Sequence, residues 1–153
     1  MAHDTKNIRN IVLLGHSGSG KTTFAETMLF ESGGTTRRGS VEDGTTASDY
    51  TNIEQEKGNS IFSALLNADW RGTKINIIDA PGSDDFVGEV VAAMSVADTA
   101  VMLINSKSGV EVGTELHWEF VEKNNKPAIF VVNQLDHEKA DYEKSLEELK
   151  ETF

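Results

Sequence analysis

The chain has 153 residues, 38% of them hydrophobic and 25% charged, with 14 basic against 25 acidic side chains, a formal charge of −11 and no cysteine. That length suits one domain with a real core, the charge gives no overall electrostatic drive toward nucleic acid, and the lack of cysteine excludes disulfides and thiolate metal sites and is compatible with a reducing cytoplasm. No apolar run approaches the ~18 residues of a membrane span, and the first seven residues have no apolar segment of the kind a secretory signal carries.

Ile8–Leu14, apolar and β-branched, reads as the first strand. It feeds Gly15-His16-Ser17-Gly18-Ser19-Gly20-Lys21-Thr22, of the form G-x-x-x-x-G-K-T, and Thr23–Phe30 reads as the helix behind it, continuing to about Glu31 before Ser32-Gly33-Gly34. This is the P-loop pattern of nucleoside triphosphate binding. Its glycines let the backbone approach the phosphates, and successive N–H groups ahead of a helix N-terminus form an anion cradle. Gly15 through Thr23 are the candidate phosphate-binding residues; Lys21 can reach the β- and γ-phosphates, and the Thr22 hydroxyl can ligate Mg²⁺. A glycine-rich turn matching by accident is the bland alternative, disfavoured by the strand before and the helix after.

From Gly33 to Asn59 there is no sustained apolar period, and a loop of this length is functional or disordered. Within it, Arg37-Arg38 reads as a solvated feature, with a nucleic-acid contact as the minority reading. Ile61–Trp70 and Lys74–Ile78, separated by the turn Arg71-Gly72, read as an antiparallel hairpin. Asp79-Ala80-Pro81-Gly82 breaks the run, and Phe86–Val96 reads as a helix. Thr99–Ile104 reads as a buried strand, Asn105–Val112 as a loop, Thr114–Glu122 as an amphipathic helix and Ala128–Val132 as another buried strand. A charged helix, Glu138–Phe153, follows, with Tyr142, Leu146, Leu149 and Phe153 on one face.

Strands alternating with helices imply an α/β fold with a mostly parallel sheet covered on both faces. In such sheets ligands sit at the carboxyl ends of the strands, where Gly15, Asp79, Asn105 and Asn133 all fall. Asp79, followed by Ala-Pro-Gly, can hold a Mg²⁺-bound water, and the Gly82 N–H can meet the γ-phosphate. Alone, D-x-x-G is usually just a turn. Asn133-Gln134-Leu135-Asp136 suits guanine: a carboxylate accepting from the ring N–H and the exocyclic amine leaves adenine one hydrogen bond short. The alternative is that Asp136 merely caps the helix starting near His137.

Together, G-x-x-x-x-G-K-T, D-x-x-G and N-x-x-D resemble a translational GTPase, and most of all elongation factor G and its paralogues. Gly15-His16, Asp49-Tyr50, Glu54-Gln55-Glu56-Lys57-Gly58, Asn76–Gly82 with Asp85-Phe86, and Gly109-Val110-Glu111 carry the resemblance, which runs from about Asn7 to Asp136. It implies a P-loop NTPase of Ras-like G-domain type over residues 1–153, GTP or GDP with Mg²⁺, the ribosome as partner and a cytoplasmic location. It also implies a first switch at about 33–60, a second at about 80–94, and Ser60 in the place of the switch threonine that ligates Mg²⁺.

Three departures from the family fall in one functional unit. Ser83 stands where the family has the histidine that positions the attacking water, and Ser17 and Asn59 stand where it has two apolar gate residues. Orientation of the nucleophile supplies much of phosphoryl-transfer catalysis, so no catalytic residue is assigned and GTP hydrolysis is expected to be weak or absent. A ribosome-stimulated active GTPase and a P-loop ATPase or kinase are the alternatives. Gly18 replaces an aspartate that often helps hold a monovalent cation, and Gln134 replaces a lysine; binding is expected to survive, weakened by about a kcal/mol.

His16 is expected to be structural, His117 and His137 to lie at the surface, and Trp70 and Trp118 to pack. The resemblance also calls for a further strand, a fifth guanine motif and a closing helix after Phe153. The expectation is therefore that Ala128–Val132 forms a sheet edge with apolar surface exposed near the first strand, and that the fragment self-associates.

Overall fold

The computed structural model describes residues 3–153. After a short turn at Thr5–Asn7, the elements are β1 (Ile8–Leu14), α1 (Lys21–Glu31), α2 (Asn52–Lys57), β2 (Ala64–Trp70), β3 (Thr73–Asp79), α3 (Val87–Val96), β4 (Thr99–Asn105), α4 (Val112–Lys123), β5 (Ala128–Asn133) and α5 (Tyr142–Thr152). The five strands form one sheet in the order β2-β3-β1-β4-β5. β1 runs parallel to β3 and β4, and β4 to β5; β2 pairs antiparallel with β3, so the expected hairpin is present.

Alternation along the strands builds two cores. Val12 and Leu14 of β1 face one side, with Ile78, Met102, Val90 and Met94 of α3, and Val121 of α4. Leu13 faces the other, with Ile77, Val101, Leu103 and Ala25 of α1. The two sides of the sheet are thus covered by α3 and α4 on one face and by α1 on the other.

β5 is an edge strand, as expected, but β4 separates it from β1, so the apolar surface it exposes is not beside the first strand. Phe130 packs inward, its ring 5.3 Å from Trp118 and 5.5 Å from Phe153 at the end of α5. Ile129, on the opposite face of the strand, is 58% exposed. The most exposed apolar side chain of β5 therefore lies on its α1 side.

The long loop contains an element the apolar pattern does not show. α2 carries a capping box in which Thr51 and Glu54 bond each other's backbone, and Gly58 closes it with left-handed backbone (φ 63°). Glu54 is buried and also accepts from the N–H groups of Ile61 and Phe62 at 3.0 and 3.1 Å. Those two donors are lost to the sheet, which is why β2 begins at Ala64 rather than at Ile61. α5 likewise begins at Tyr142, where Asp141 accepts from the Lys144 N–H, and not at Glu138.

Candidate functional site

The P-loop joins β1 to α1, and its neighbours dictate its glycines. At Gly15 (φ 132°) a Cβ would strike the Leu103 carbonyl, and at Gly20 (φ 89°) it would stand 2.5 Å from Asn133 Nδ2. The loop is pinned from both flanks. The Gly15 N–H donates to Nδ1 of His117 on α4 at 3.0 Å. Asn133 Nδ2 donates to Ser19 O at 2.9 Å and Gln134 Nε2 to Gly18 O at 2.8 Å, which ties the end of β5 to the loop.

Lys21 is buried, and its Nζ donates to the carbonyls of Gly15 and His16, each at 3.1 Å. Burial pushes its pKa down to about 8, while Asp79 and Asp49 pull it back up. It remains a cation at neutral pH, placed at the mouth of the loop.

Asp79 ends β3 in register with Leu13 of β1. It is 1% exposed, and neither carboxylate oxygen has a hydrogen bond of acceptable geometry. Burial pushes its pKa up to about 6, against the nearby Thr22 hydroxyl, the Lys21 ammonium and the Ser48 hydroxyl. The Thr22 and Ser60 hydroxyls are 3.1 Å apart, and Ser60 donates to Asp49 Oδ1 at 2.7 Å. Asp49 is held above the usual carboxylate range by burial, partly offset by that bond. An orphaned carboxylate beside a hydroxyl fits a hard cation that takes only one or two protein ligands and completes its shell with phosphate and water. Among the described residues no cluster of three or more acidic or histidine side chains could hold a metal by itself.

Gly82 lies against the P-loop so closely that a Cβ there would meet Lys21 Nζ and come within 2.8 Å of Ser17 N. Above it opens a cavity of about 750 Å³, lined among others by Ser17, Lys21, Thr22, Asn59, Ser60, Gly82, Ser83 and Gln134. The three side chains that depart from the family pattern thus face one chamber. Asp136 is not in its wall; it sits on the exposed turn after β5. Because Asp141 caps the last helix, Asp136 has no capping duty, which removes the alternative reading of that carboxylate.

Residues 6–153 match the family model of the elongation factor Tu GTP binding domain. The chain belongs to that family. This GTP-binding domain is 40% identical over 144 residues to the tetracycline resistance protein TetM from transposon Tn1545 of Enterococcus faecalis, covering 94% of the chain and 22% of TetM. It is 41% identical over 145 residues to the mitochondrial ribosome-releasing factor 2 of Culex quinquefasciatus, covering 95% of the chain and 19% of that protein. A solved structure from Thermus thermophilus superposes with a TM-score of 0.92 at 41% identity, covering 95% of the chain and 22% of that structure. The chain thus spans about a fifth of the length of the relatives it matches. A bacterial selenocysteine-specific elongation factor shares the fold, with a TM-score of 0.71 at 23% identity over 92% of the chain and 22% of that structure.

Several residues of the GTP-binding domain lie where sequence reasoning did not put them. His117 is not at the surface: it is fully buried, and burial, with the charges of Lys21 and His16, pushes its pKa down to about 4. A lone histidine on a helix carries no signal of a partner 102 residues away. Trp70 does not pack into the core but is 46% exposed under the Arg71 guanidinium. Glu26, unremarked in the sequence, is buried on α1 and accepts from the N–H groups of Ala47 and Ser48 at 2.6 and 3.3 Å, holding the long loop to the helix. For Glu54 the signal was available, in the Thr51-x-x-Glu54 capping pattern.

Proposed function

We propose that this domain binds GTP and GDP with Mg²⁺ as the nucleotide switch of an elongation-factor-G-like factor that works on the ribosome in the cytoplasm, and that it hydrolyses GTP weakly. The carrying observation is that Ser17, Asn59 and Ser83 line the same cavity as Lys21 and Thr22. The residues that would bind the nucleotide lie in and near the same cavity. Lys21 and the loop N–H groups would take the phosphates, Thr22, Asp79 and Ser60 would hold Mg²⁺, directly or through water, and Asn133, Gln134 and Asp136 would take the base. Bound Mg²⁺ would neutralise charge on the phosphate oxygens. The ribosome enters through the Culex relative, a ribosome-releasing factor, and through the likeness to the Thermotoga maritima elongation factor G-like protein, 37% identical over 148 residues, which cover 97% of the chain and 21% of that protein.

Weak hydrolysis follows from what the three side chains can do. Ser83 opens a turn in which its carbonyl accepts from the Phe86 N–H at 3.0 Å, and its hydroxymethyl is too short to steer a water as an imidazole would. Asn59 is exposed and Ser17 is exposed, so neither supplies an apolar wall against bulk water. Groups that orient the nucleophile or stabilise the charge are worth about 10³–10⁵ in rate. Single-turnover GTP hydrolysis by the full-length factor, with and without ribosomes, tests the reading. Slow hydrolysis with ribosomes, accelerated by Ser83→His in a background of apolar residues at 17 and 59, is the expected result. Rapid multiple turnover by the unaltered factor would overturn it.

A further inference from the structure

Ser106, the residue after β4, belongs to none of the nucleotide motifs, yet it is 2% exposed and joins the end of β4 to both ends of the turn that carries Asp136. On the upstream side its N–H donates to Asn133 O at 3.0 Å and its Oγ donates to Gln134 O at 2.8 Å. On the downstream side its own carbonyl accepts from the Asp141 N–H at 2.9 Å, and the Ser145 hydroxyl, whose shorter bond goes to Asp141 O at 2.8 Å, stands 3.4 Å from that carbonyl. Residues 134–140, with Asp136 among them, therefore form a bight closed on one side chain and one peptide of Ser106.

The upstream bond falls at a telling place. Gln134 has φ 59°, left-handed backbone that a residue with a side chain adopts at a cost. Its carbonyl is the acceptor for Ser106 Oγ, so the hydroxyl fixes the peptide plane between Gln134 and Leu135, two residues before the carboxylate. A small rotation of that plane would swing Asp136 along the rim of the base site. Two hydrogen bonds to a guanine edge demand that the carboxylate be held in one orientation, whereas the phosphate cradle has two anchors that do not pass through Gln134, His117 and Asn133, beside the one that does, Gln134 Nε2 on Gly18 O.

We propose that Ser106 is a positioning residue for base selection: its hydroxyl orients the Gln134–Asp136 turn so that Asp136 accepts from both the ring N–H and the exocyclic amine of guanine. This rests on the guanine reading of Asp136 given above. The hydroxyl acts more on recognition of the purine edge than on phosphate binding, which GDP and IDP share.

The test is titration calorimetry of the chain with GDP and with IDP, whose base lacks the exocyclic amine, together with the thermal midpoint of the nucleotide-free protein. Removing a buried hydroxyl that satisfies a carbonyl weakens the interaction it supports by about tenfold. Ser106→Ala is thus expected to weaken GDP by about that factor, to weaken IDP distinctly less, and to narrow the GDP-to-IDP ratio; Ser106→Thr, which keeps the hydroxyl, restores the ratio. Equal losses for GDP and IDP, or a lowered thermal midpoint with the ratio intact, would mean that Ser106 merely holds the fold and would overturn the proposal. Unchanged affinities would do the same. Asp136→Ala, run alongside, is expected to abolish the ratio. If it does and Ser106→Ala does not narrow it, the positioning role alone fails; if Asp136→Ala leaves the ratio intact, the guanine reading fails and the proposal with it.

Discussion

The burial of His117 predicts a specific departure in how stability depends on pH. Its Nδ1 accepts the Gly15 N–H and its Nε2 is buried without a partner, so the folded state needs the neutral ring. With the pKa lowered from 6.5 to about 4, its contribution is fully present above the unfolded pKa and is lost as the pH falls through that value toward the folded one. Linkage puts the loss between about pH 7 and about pH 5 at roughly 2 kcal/mol. Asp79 acts in the opposite sense. Its pKa is raised from 3.8 to about 6, so the fold gains stability as the carboxylate takes up a proton, by roughly 1 kcal/mol over the same interval. The second offsets about half of the first in the unaltered chain. His117→Gln, whose amide oxygen can still accept from Gly15, removes only the first contribution. Urea unfolding without nucleotide at about pH 7, 6 and 5 is the assay. The stability difference between the two chains should shrink by roughly 2 kcal/mol on acidification, with the Asp79 gain showing alone in the variant and outweighed by the His117 loss in the unaltered chain. A difference independent of pH would refute the claim that a neutral His117 is locked beneath the P-loop.

Two further substitutions probe the loops around the phosphate cradle. Gly82→Ala would place a methyl group against Lys21 and the Ser17 amide; overpacking of this kind costs about 1–3 kcal/mol, and titration calorimetry should show GTP binding weakened roughly ten- to hundredfold. Glu26→Ala would leave the Ala47 and Ser48 amides without their acceptor; at about 1–3 kcal/mol for stranded donors, hydrogen exchange at 46–48 should quicken by one to two orders of magnitude while exchange in β4 stays slow.

What could be read from the chain and what could not divides by range. β1, β4 and β5 are short apolar runs bounded by Gly, Asn or Pro, and local pattern suffices to find them. The P-loop and Asp79 follow at strand ends, where parallel topology concentrates polar function. α2 escaped because only Ile53 in it is large and apolar, and that residue is 47% exposed; its signal lies in capping chemistry instead. The start of β2 escaped because the competitor for its backbone donors is a side chain, Glu54, in a different element. His117, Glu26 and Ser106 escaped for the same reason. Each is a single polar residue whose meaning depends on a backbone group far away in sequence, and no periodicity records that.

The position of β1 has a consequence for the birth of the domain. It comes before the other four strands of its sheet in the chain, yet it lies in the middle of that sheet, and its pairs begin with Ile8 opposite Lys74 and Ile11 opposite Thr99. During synthesis at about 5–20 residues per second, this apolar segment waits several seconds for either neighbour. The phosphate loop that follows waits longer still, because Asn133 and Gln134, which clasp it, lie more than 110 residues further along the chain. The clasped form of the phosphate loop therefore comes after β1 has gained its neighbours, and until then the apolar β1 has no sheet to shelter in.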